Sequence, residues 1–408
     1  MGKLFNICNG YIFLWCLYSM QGILYGQGGM ISQGILLILL GISFYTLVDA
    51  NINYKLPATL KALNIFLIVL TLYGIVMMLD GQEYYIQESF KSVIKTDYLK
   101  TIYISLLPTY TFFIFTKKGL LSPRMIRIWV CILVVLVTLK YWHSYQTQLN
   151  QAKSSMDALY TSITQEDFTN NVGYSFVALI PALFFFDKRK LLQFAILIYI
   201  AVYVLMSMKR GAIMVGSITL LWFVYRTFKT SSRNTKIWVT LLLCVAAIIL
   251  WQQVSELYNS NDYFQDRFEK TKDGDSSGRD IVYNELWSHY TDKTSLNEFL
   301  FGMGANGTLN VTFNYAHNDW LEIATNQGLL GLIIFAIFWI ALFKDWRKAK
   351  GSPLIYSMLG AIFIICFSKT FFSMSYNSIA FYMCMCLGYC LAQLSSETDT
   401  NNLKTPIQ

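Results

Sequence analysis

The sequence predicts an all-α polytopic membrane protein with about 12 transmembrane helices. Hydrophobic residues make up 55% of its 408 residues, and charged residues only 14%, whereas a soluble protein carries about 25% charge. Mean hydropathy is +0.43. Aromatic residues make up 16%, and Trp and Tyr collect at membrane interfaces. Together these values exclude a soluble multi-domain protein and a disordered chain.

Each predicted span is a mostly apolar stretch, because a helix needs about 20 such residues to cross a bilayer. Pro108 and Pro181 fall inside two stretches and predict kinks there. The stretches lie near 8–25, 30–48, 59–79, 98–116, 125–143, 171–186, 191–208, 211–228, 237–251, 327–343, 353–372 and 375–393.

The distribution of Lys and Arg predicts the orientation of these spans. Both residue types concentrate in the loops after the even-numbered spans, which places both termini in the cytoplasm. One long loop, about 252–326, then faces outward between spans 9 and 10. It is acidic and contains short apolar stretches, so we expect it to be partly helical. The net charge of +8 thus reports topology, and we expect no nucleic acid partner.

These features divide the chain into five regions. We predict spans 1 to 5 with an external loop in 1–167, spans 6 to 9 with the Arg210 turn in 168–251, an extracytoplasmic catalytic loop in 252–326, spans 10 to 12 in 327–394, and a cytoplasmic tail in 395–408.

Two basic residues occupy a tight external turn, against the general charge bias. Lys209 and Arg210 lie between spans 7 and 8, beside the N-terminus of span 8. A guanidinium fork, an ammonium group and free helix N–H groups together suit an anion. Snorkelling of both side chains to lipid headgroups is the alternative.

A third basic residue stands at the start of a predicted loop helix. In the stretch SSGRDIVYNELW, Ser276 or Ser277 is expected to cap the helix, which places Arg279 in its first turn. This is the unfavourable end of the helix dipole for a cation. An external anion would compensate for it, and so would a salt bridge to Asp280 or Glu285.

A histidine precedes another predicted helix start. Asp319 and Glu322 have the spacing of an N-cap and its N3 partner, so we expect a helix to begin at Asp319 and continue into span 10. His317 then lies just ahead of that N-terminus, where the dipole favours a neutral imidazole that can act as a general base. A histidine held only by hydrogen bonds of the loop is the alternative.

Three other patterns are discounted. GMGANG, residues 302–307, fits a dinucleotide fingerprint but favours a glycine-shaped turn. The run from Asp273 and Asp275 to Ser277 begins like a calcium loop, but Asn284 replaces its bidentate Glu. The cysteines at 384, 386 and 390 lack histidine support for a metal and favour helix packing.

Several segments, in this order, resemble the O-antigen ligase family, which includes O-antigen ligases and related O-antigen polymerases. The resemblance covers roughly residues 168–345. The matching segments are NNVGYSFVALIPALFFF at 170–186, KRGA at 209–212, SGRDIVYNELW at 277–287, FGMG at 301–304 and AHNDWLEIATNQG at 316–328.

The resemblance implies a GT-C-like, inverting, metal-independent glycosyltransferase of lipopolysaccharide or surface polysaccharide biosynthesis. Arg210 and Arg279 match arginines that hold the donor diphosphate, and His317 matches the histidine proposed as the base or as an acceptor-orienting residue. Lys209 and Lys369 are added as diphosphate ligands, with snorkelling as the alternative for Lys369. Supporting roles are expected for Tyr315, Asn318, Asp319 and Glu322.

The implied partners are all parts of the cell envelope. The donor is a glycan on undecaprenyl diphosphate, the acceptor is lipid A–core or a lipid-linked glycan, membrane lipid surrounds the protein, and a chain-length regulator is a further candidate. We expect no cofactor and no metal. The expected location is the bacterial inner membrane, with the active site on the periplasmic face. The alternative function is a lipid-linked oligosaccharide flippase or transporter, since twelve spans also fit such folds.

Overall fold

A computed structural model describes residues 6–81, 83–86, 91–158, 170–260, 265, 269, 278–376 and 378–402. The described residues are 80% helical. Two short strands, β1 (Tyr85–Ile86) and β2 (Lys91–Ser92), form an antiparallel pair between α3 and α4. The helices are α1 (Ile7–Ser19), α2 (Met30–Asn53), α3 (Ala58–Leu79), α4 (Lys95–Leu106), α5 (Pro108–Lys117), α6 (Pro123–Ala158), α7 (Gly173–Val177), α8 (Lys190–Met206), α9 (Arg210–Thr230), α10 (Arg233–Ser260), α11 (Arg279–Ser288), α12 (Leu296–Phe301), α13 (Thr308–Thr312), α14 (Asp319–Lys348), α15 (Pro353–Lys369) and α16 (Phe381–Asn402).

Short helical turns of other kinds extend three of these elements. Ile180–Phe186 and Ala349–Gly351 are 3-10 helices, and His289–Lys293 is a π-helical turn that continues α11.

The prediction of an all-α membrane protein is confirmed. Each of the twelve apolar stretches contains helical backbone, although the first runs past the end of α1 at Ser19 and the last begins before the start of α16 at Phe381. The number of helices that cross the bilayer stays a prediction. Among the described residues, six helices are long and apolar enough to span a membrane, by length and composition: Met30–Asn53, Ala58–Leu79, Lys95–Lys117, Pro123–Gln148, Arg210–Thr230 and Asp319–Gly351. Five shorter helices are also apolar: Ile7–Ser19, Gly173–Phe186, Lys190–Met206, Pro353–Lys369 and Phe381–Ser396.

Both prolines inside predicted spans interrupt regular helix. Pro108 begins α5 directly after α4, because a proline nitrogen has no hydrogen to donate to the preceding turn. Pro181 lies in the first turn of the 3-10 helix that follows α7. Both prolines thus lie at the start of a new helical element, and the kinks themselves stay a prediction.

The backbone divides into two compact units. We call them the Arg210 unit, made of the described residues within 1–39, 120–275 and 360–365, and the His317 unit, made of those within 40–119, 276–359 and 366–402.

In the His317 unit an aromatic core supports the N-terminal half of α14. Phe335 lies 5.6 Å from Phe66 of α3 and 4.9 Å from Trp320, ring centre to ring centre. Trp320 in turn stacks on Phe371, which follows α15. Phe66 and Phe335 are buried, and these ring contacts join the start of α14 to α3 and to the segment after α15, where the candidate site lies.

Helix α16 packs closely on α5 in the same unit. A side chain on Gly388 would come within 2.6 Å of the Thr109 carbonyl oxygen, so the two backbones are in contact there. Cys384, Cys386 and Cys390 are buried on this helix as free thiols, which agrees with their interpretation as packing residues.

Candidate functional site

Arg279 is the first helical residue of α11, as the sequence predicts. Ser276 and Ser277, the expected caps, lie outside the described residues, and the N-cap is Gly278, with a left-handed φ of 77°. Glycine has no side chain that could bond to the first N–H groups. The Arg279 guanidinium donates to the Phe372 carbonyl oxygen at 2.8 Å. A cation is thus anchored at a helix N-terminus, where a bound anion would be stabilised.

Tyr283 connects this arginine with the histidine segment. It lies one turn after Arg279, and its hydroxyl donates to the His317 carbonyl oxygen at 3.4 Å. Its side chain also interacts with those of Arg279 and Asn318, and burial raises the pKa of Tyr283 above its usual value. The sequence interpretation missed this residue. The only signal was its spacing of four from Arg279, which places both on one helix face.

His317 occupies a strained backbone position immediately before the start of α14. Its φ is 50°, a left-handed conformation that is uncommon outside glycine. Its side chain is exposed. Such strain persists only where the surrounding structure holds it, and the contacts on both sides of His317 supply that support.

Asn318 corrects the predicted helix cap. The expectation of Asp319 as N-cap with Glu322 as its N3 partner is wrong, because the cap lies one residue earlier. The Asn318 side-chain oxygen accepts from the N–H groups of Trp320 and Leu321 at 3.0 and 3.2 Å. Its amide nitrogen donates to the Phe371 carbonyl oxygen at 3.2 Å. Asn318 therefore closes the helix and also ties it to the segment after α15.

Asp319 is the first residue of α14 and is fully buried. Its carboxylate accepts from the N–H groups of Ser375 and Tyr376 at 2.9 and 3.3 Å, and its own N–H donates to the Thr370 carbonyl oxygen at 2.8 Å. A buried carboxylate needs such partners. Asp319 thus binds the 370–376 segment to the start of α14.

Lys369, at the end of α15, is also buried, with 9% of its surface exposed. Its ammonium group donates to the Ser378 hydroxyl and interacts with the charge of Asp319. This environment favours a structural charge that balances Asp319. The interpretation of Lys369 as a diphosphate ligand stays a prediction, and its burial disfavours it.

Glu322 has a different role from the predicted cap. Its buried carboxylate accepts from the Thr308 hydroxyl at 2.6 Å, the Asn326 amide at 3.2 Å and the Ala316 N–H at 2.9 Å. These donors come from α13, from the loop before His317 and from α14 itself. The carboxylate therefore joins the histidine loop to the helix.

Tyr315 is half-buried two residues before His317. It packs on an apolar cluster of Met77, Tyr84, Ala305 and Leu309. Burial, with the nearby negative charges of Glu322 and Asp97, raises the pKa of Tyr315 to about 12. Its hydroxyl therefore stays protonated at neutral pH, and the residue supports the loop.

The FGMG segment forms the predicted glycine-shaped turn. Gly302 and Gly304 have φ values of 75° and 98°. The N–H groups of Met303 and Gly304 donate to the carbonyl oxygens of Thr325 and Asn326. A break in α14 at Gly328, with φ of 65° and ψ of −160°, explains why those carbonyls are available. A side chain on Gly328 would come within 2.5 Å of the Gly302 nitrogen.

Lys209 and Arg210 lie in the Arg210 unit. Ser207, Met208 and Lys209 form the predicted tight turn, and Arg210 is the first residue of α9. Met208 has a φ of 50°. Lys209 is the N-cap and makes no side-chain cap hydrogen bond, because an ammonium group cannot accept one.

Asn170 supports this turn from the same unit. Its N–H donates to the Ser207 carbonyl oxygen at 2.8 Å, and its side-chain amide donates to the Tyr141 carbonyl oxygen at 3.2 Å. A side chain on Gly173 would come within 2.3 Å of the Ser207 hydroxyl. The NNVGYS stretch therefore packs on the back of the Lys209–Arg210 turn.

The structure thus brings together Arg279, Tyr315, His317, Asn318, Asp319, Glu322 and Lys369 in the His317 unit. The start of the calcium-like pattern, Asp273, Asp275 and Ser277, lies outside the described residues. Within the described part of the chain, no group of three His, Cys, Asp or Glu side chains is placed to hold a metal.

Fold and site together define a multi-pass, all-helical membrane protein in which arginines stand at helix N-termini and an exposed histidine lies beside one of them. Residues 195–336 match the family model described as O-antigen ligase. The match covers less than half of the chain; it confirms the resemblance to the O-antigen ligase family and supports a membrane enzyme of that type. All of the candidate site residues except Lys369 fall within it. Comparison with curated proteins gives no match.

Proposed function

We propose that the protein transfers a glycan from undecaprenyl diphosphate to a sugar hydroxyl of a lipid-linked acceptor, with inversion at the anomeric carbon. The fold would be GT-C-like, and the acceptor would be lipid A–core for a ligase or a second lipid-linked glycan for a polymerase. The reaction would take place on the periplasmic face of the bacterial inner membrane, with both termini of the chain in the cytoplasm.

One observation carries this proposal. Arg279 donates to the Phe372 carbonyl oxygen, and Tyr283, whose side chain interacts with Arg279, donates to the carbonyl oxygen of the exposed His317. Arg279 and His317 both lie in the segment that matches the family. A diphosphate leaving group needs positive charge, and an acceptor hydroxyl needs a base. Both groups belong to the His317 unit: the Arg279 side chain donates to backbone, and the His317 backbone accepts from Tyr283.

The chemistry follows from these two groups. His317 accepts the proton of the acceptor hydroxyl, and the acceptor oxygen forms a bond to the anomeric carbon of the donor. The bond between that carbon and the diphosphate oxygen breaks on the opposite side, so the configuration inverts. The electron pair stays on the diphosphate, whose charge is neutralised by Arg279 and by the N-terminus of α11.

Lys209 and Arg210 are proposed as further diphosphate ligands on the strength of the resemblance. Arg210 shares two local features with Arg279: each is the first residue of its helix, and each follows an N-cap without a capping side chain. Arginines in this position can replace a metal ion as charge stabilisers, so we expect transfer to persist in EDTA.

The central test uses purified protein, a glycan on undecaprenyl diphosphate, and lipid A–core or a second donor molecule offered separately. Transfer to lipid A–core identifies a ligase, and chain growth identifies a polymerase. His317→Ala and Arg279→Ala are each expected to lower turnover by at least about a hundredfold.

The matched controls are His143→Ala and Arg347→Ala, which remove an exposed histidine and an exposed arginine elsewhere. Both controls should retain activity within about twofold, because surface substitutions away from a site have small effects. Full activity in His317→Ala or Arg279→Ala would remove that residue from the mechanism.

A further inference from the structure

We propose that Glu322 is a positioning residue that holds the His317 imidazole in its working place. This inference deepens the proposed function and rests on it. It starts from the three hydrogen bonds that the buried Glu322 carboxylate accepts.

The bond from Ala316 is the direct link to the histidine. Its N–H donates to the second carboxylate oxygen of Glu322 at 2.9 Å, and Ala316 itself is buried. The next residue is His317, with its left-handed φ of 50°. A residue in that conformation returns to an ordinary one unless its neighbours are held. Glu322 holds the N-terminal neighbour.

The C-terminal neighbour is held independently. Asn318 caps α14 and donates to the Phe371 carbonyl oxygen. The His317 carbonyl oxygen accepts from Tyr283. Backbone on both sides of the histidine is therefore pinned, while its side chain remains exposed. A rigid backbone with an accessible side chain is the arrangement that a positioned base needs.

The other carboxylate oxygen of Glu322 is anchored so that it cannot turn away. It accepts from the Thr308 hydroxyl at 2.6 Å and from the Asn326 amide at 3.2 Å. The Asn326 side-chain oxygen accepts from the Thr308 N–H at 2.9 Å, which fixes the amide nitrogen toward Glu322. All three partners of the carboxylate are donors, so its charged form satisfies each of them.

Glutamine cannot replace this carboxylate. It has one acceptor and one donor group, so an amide nitrogen would face either the Ala316 N–H or the fixed Asn326 amide. Glu322→Gln therefore keeps the size of the side chain and breaks part of the hydrogen-bond network. In the folded protein the expected consequence is a misplaced His317.

The test is a double-mutant comparison in the full-length protein. Glu322→Gln should lower kcat at least about tenfold and leave the donor KM within about twofold, because positioning acts on the chemical step. In a His317→Ala background the same change should lower the remaining turnover by less than about twofold. An equal loss in both backgrounds would show a general structural role and overturn the proposal.

Thr308 offers a milder pair of variants in case Glu322→Gln fails to fold. Thr308→Val keeps the shape and removes the hydroxyl, whereas Thr308→Ser keeps the hydroxyl. We expect Thr308→Val to lower kcat about fivefold and Thr308→Ser to stay within about twofold of wild type. Equal activity of the two variants would argue against the anchored carboxylate.

A measurement that needs no turnover separates this proposal from the proposed function. Diethyl pyrocarbonate modifies histidines, and mass spectrometry can follow His317 and His143 in one sample. Glu322→Gln should change the His317 modification rate by at least about threefold and leave His143 unchanged. An unchanged His317 rate overturns the positioning role. Full activity of His317→Ala would instead overturn the proposed catalytic function, whatever the labelling shows.

Discussion

The turns before Arg210 and Asp319 share one backbone plan. Each has a non-glycine residue with a φ of 50°, then an N-cap, then the first helical residue. The caps differ. Asn318 bonds to two N–H groups of α14, whereas Lys209 caps none of α9. A helix N-terminus favours negative charge. At the start of α14 the Asn318 cap and the Asp319 carboxylate supply the acceptor and the charge, whereas the start of α9 is suited to an external anion.

The start of α11 resembles the Arg210 turn in this respect. Gly278 cannot cap, and the first residue is again an arginine. Arg210 and Arg279 therefore begin helices whose N-caps make no side-chain bond, which we call open ends. His317 precedes a helix whose N-cap does make such bonds, which we call a closed end. We infer from this difference that anion binding and base positioning are separate structural tasks in this protein.

The largest expected effect tests the open end of α9. Arg210→Ala should lower turnover about a hundredfold, as Arg279→Ala does, because charge on the leaving group loses a partner. Arg210→Lys keeps the charge but loses the fork, so a loss of about tenfold is expected. Single-turnover transfer from the undecaprenyl-diphosphate glycan measures both. Arg233→Ala, an exposed arginine of the same unit, is the control. Wild-type turnover in Arg210→Ala would confine anion binding to the His317 unit.

The closed end of α14 is tested by Asn318. Asn318→Ala removes both cap bonds and the bond to Phe371, which should lower the free energy of unfolding by about 1 kcal/mol and turnover about tenfold. Asn318→Asp keeps a capping oxygen, so its losses of unfolding free energy and of turnover should be smaller. Thermal unfolding in detergent and initial rates provide the measurements. Equal losses for the two variants would mean that the cap is unimportant.

A capping side chain at the start of α9 should raise stability, whereas the loss of the Asn318 cap should lower it. Lys209→Asn places a capping side chain before α9 and is expected to raise the free energy of unfolding by about 1 kcal/mol. It should also raise the donor KM about fivefold, since the new cap competes with an anion for the same N–H groups. Lys209→Ala separates the loss of charge from the gain of a cap. A stabilised variant with unchanged KM would contradict anion binding at this end.

The smallest expected effect concerns the support of the Arg210 turn. Asn170→Ala removes the side-chain bonds to Tyr141 and Val172 and keeps the backbone bond to Ser207. We expect a loss of about 1 kcal/mol in unfolding free energy and a threefold lower turnover. Asn170→Asp keeps the acceptor for Val172, and its stability and turnover should fall between those of wild type and Asn170→Ala. A variant as active and as stable as wild type would show that the turn holds without this side chain.

The sequence predicted the helices well because a bilayer imposes a strong local constraint. Each of the twelve apolar stretches contains helical backbone, and Pro108 and Pro181 interrupt regular helix where expected. Arg210 and Arg279 were also located correctly at helix starts, because turn residues and apolar periodicity mark such starts within a few residues.

The site was predicted less completely because its bonds cross long stretches of sequence. The pattern of Asp319 and Glu322 imitates a capping box, yet Asp319 bonds to Ser375 and Glu322 to Thr308. Tyr283 was missed because nothing local shows that it reaches the His317 carbonyl. The burial of Lys369 beside Asp319 was equally hidden.

The sequence by itself determined the membrane class, the helical segments and the residue types that suit a diphosphate and an acceptor hydroxyl, since hydropathy and residue chemistry are local properties. Only the tertiary structure decided which carboxylate holds which loop, which helix end is capped and which charge is buried. Those outcomes depend on donors and acceptors that folding brings together, such as Glu322 with Ala316 and Asp319 with Tyr376.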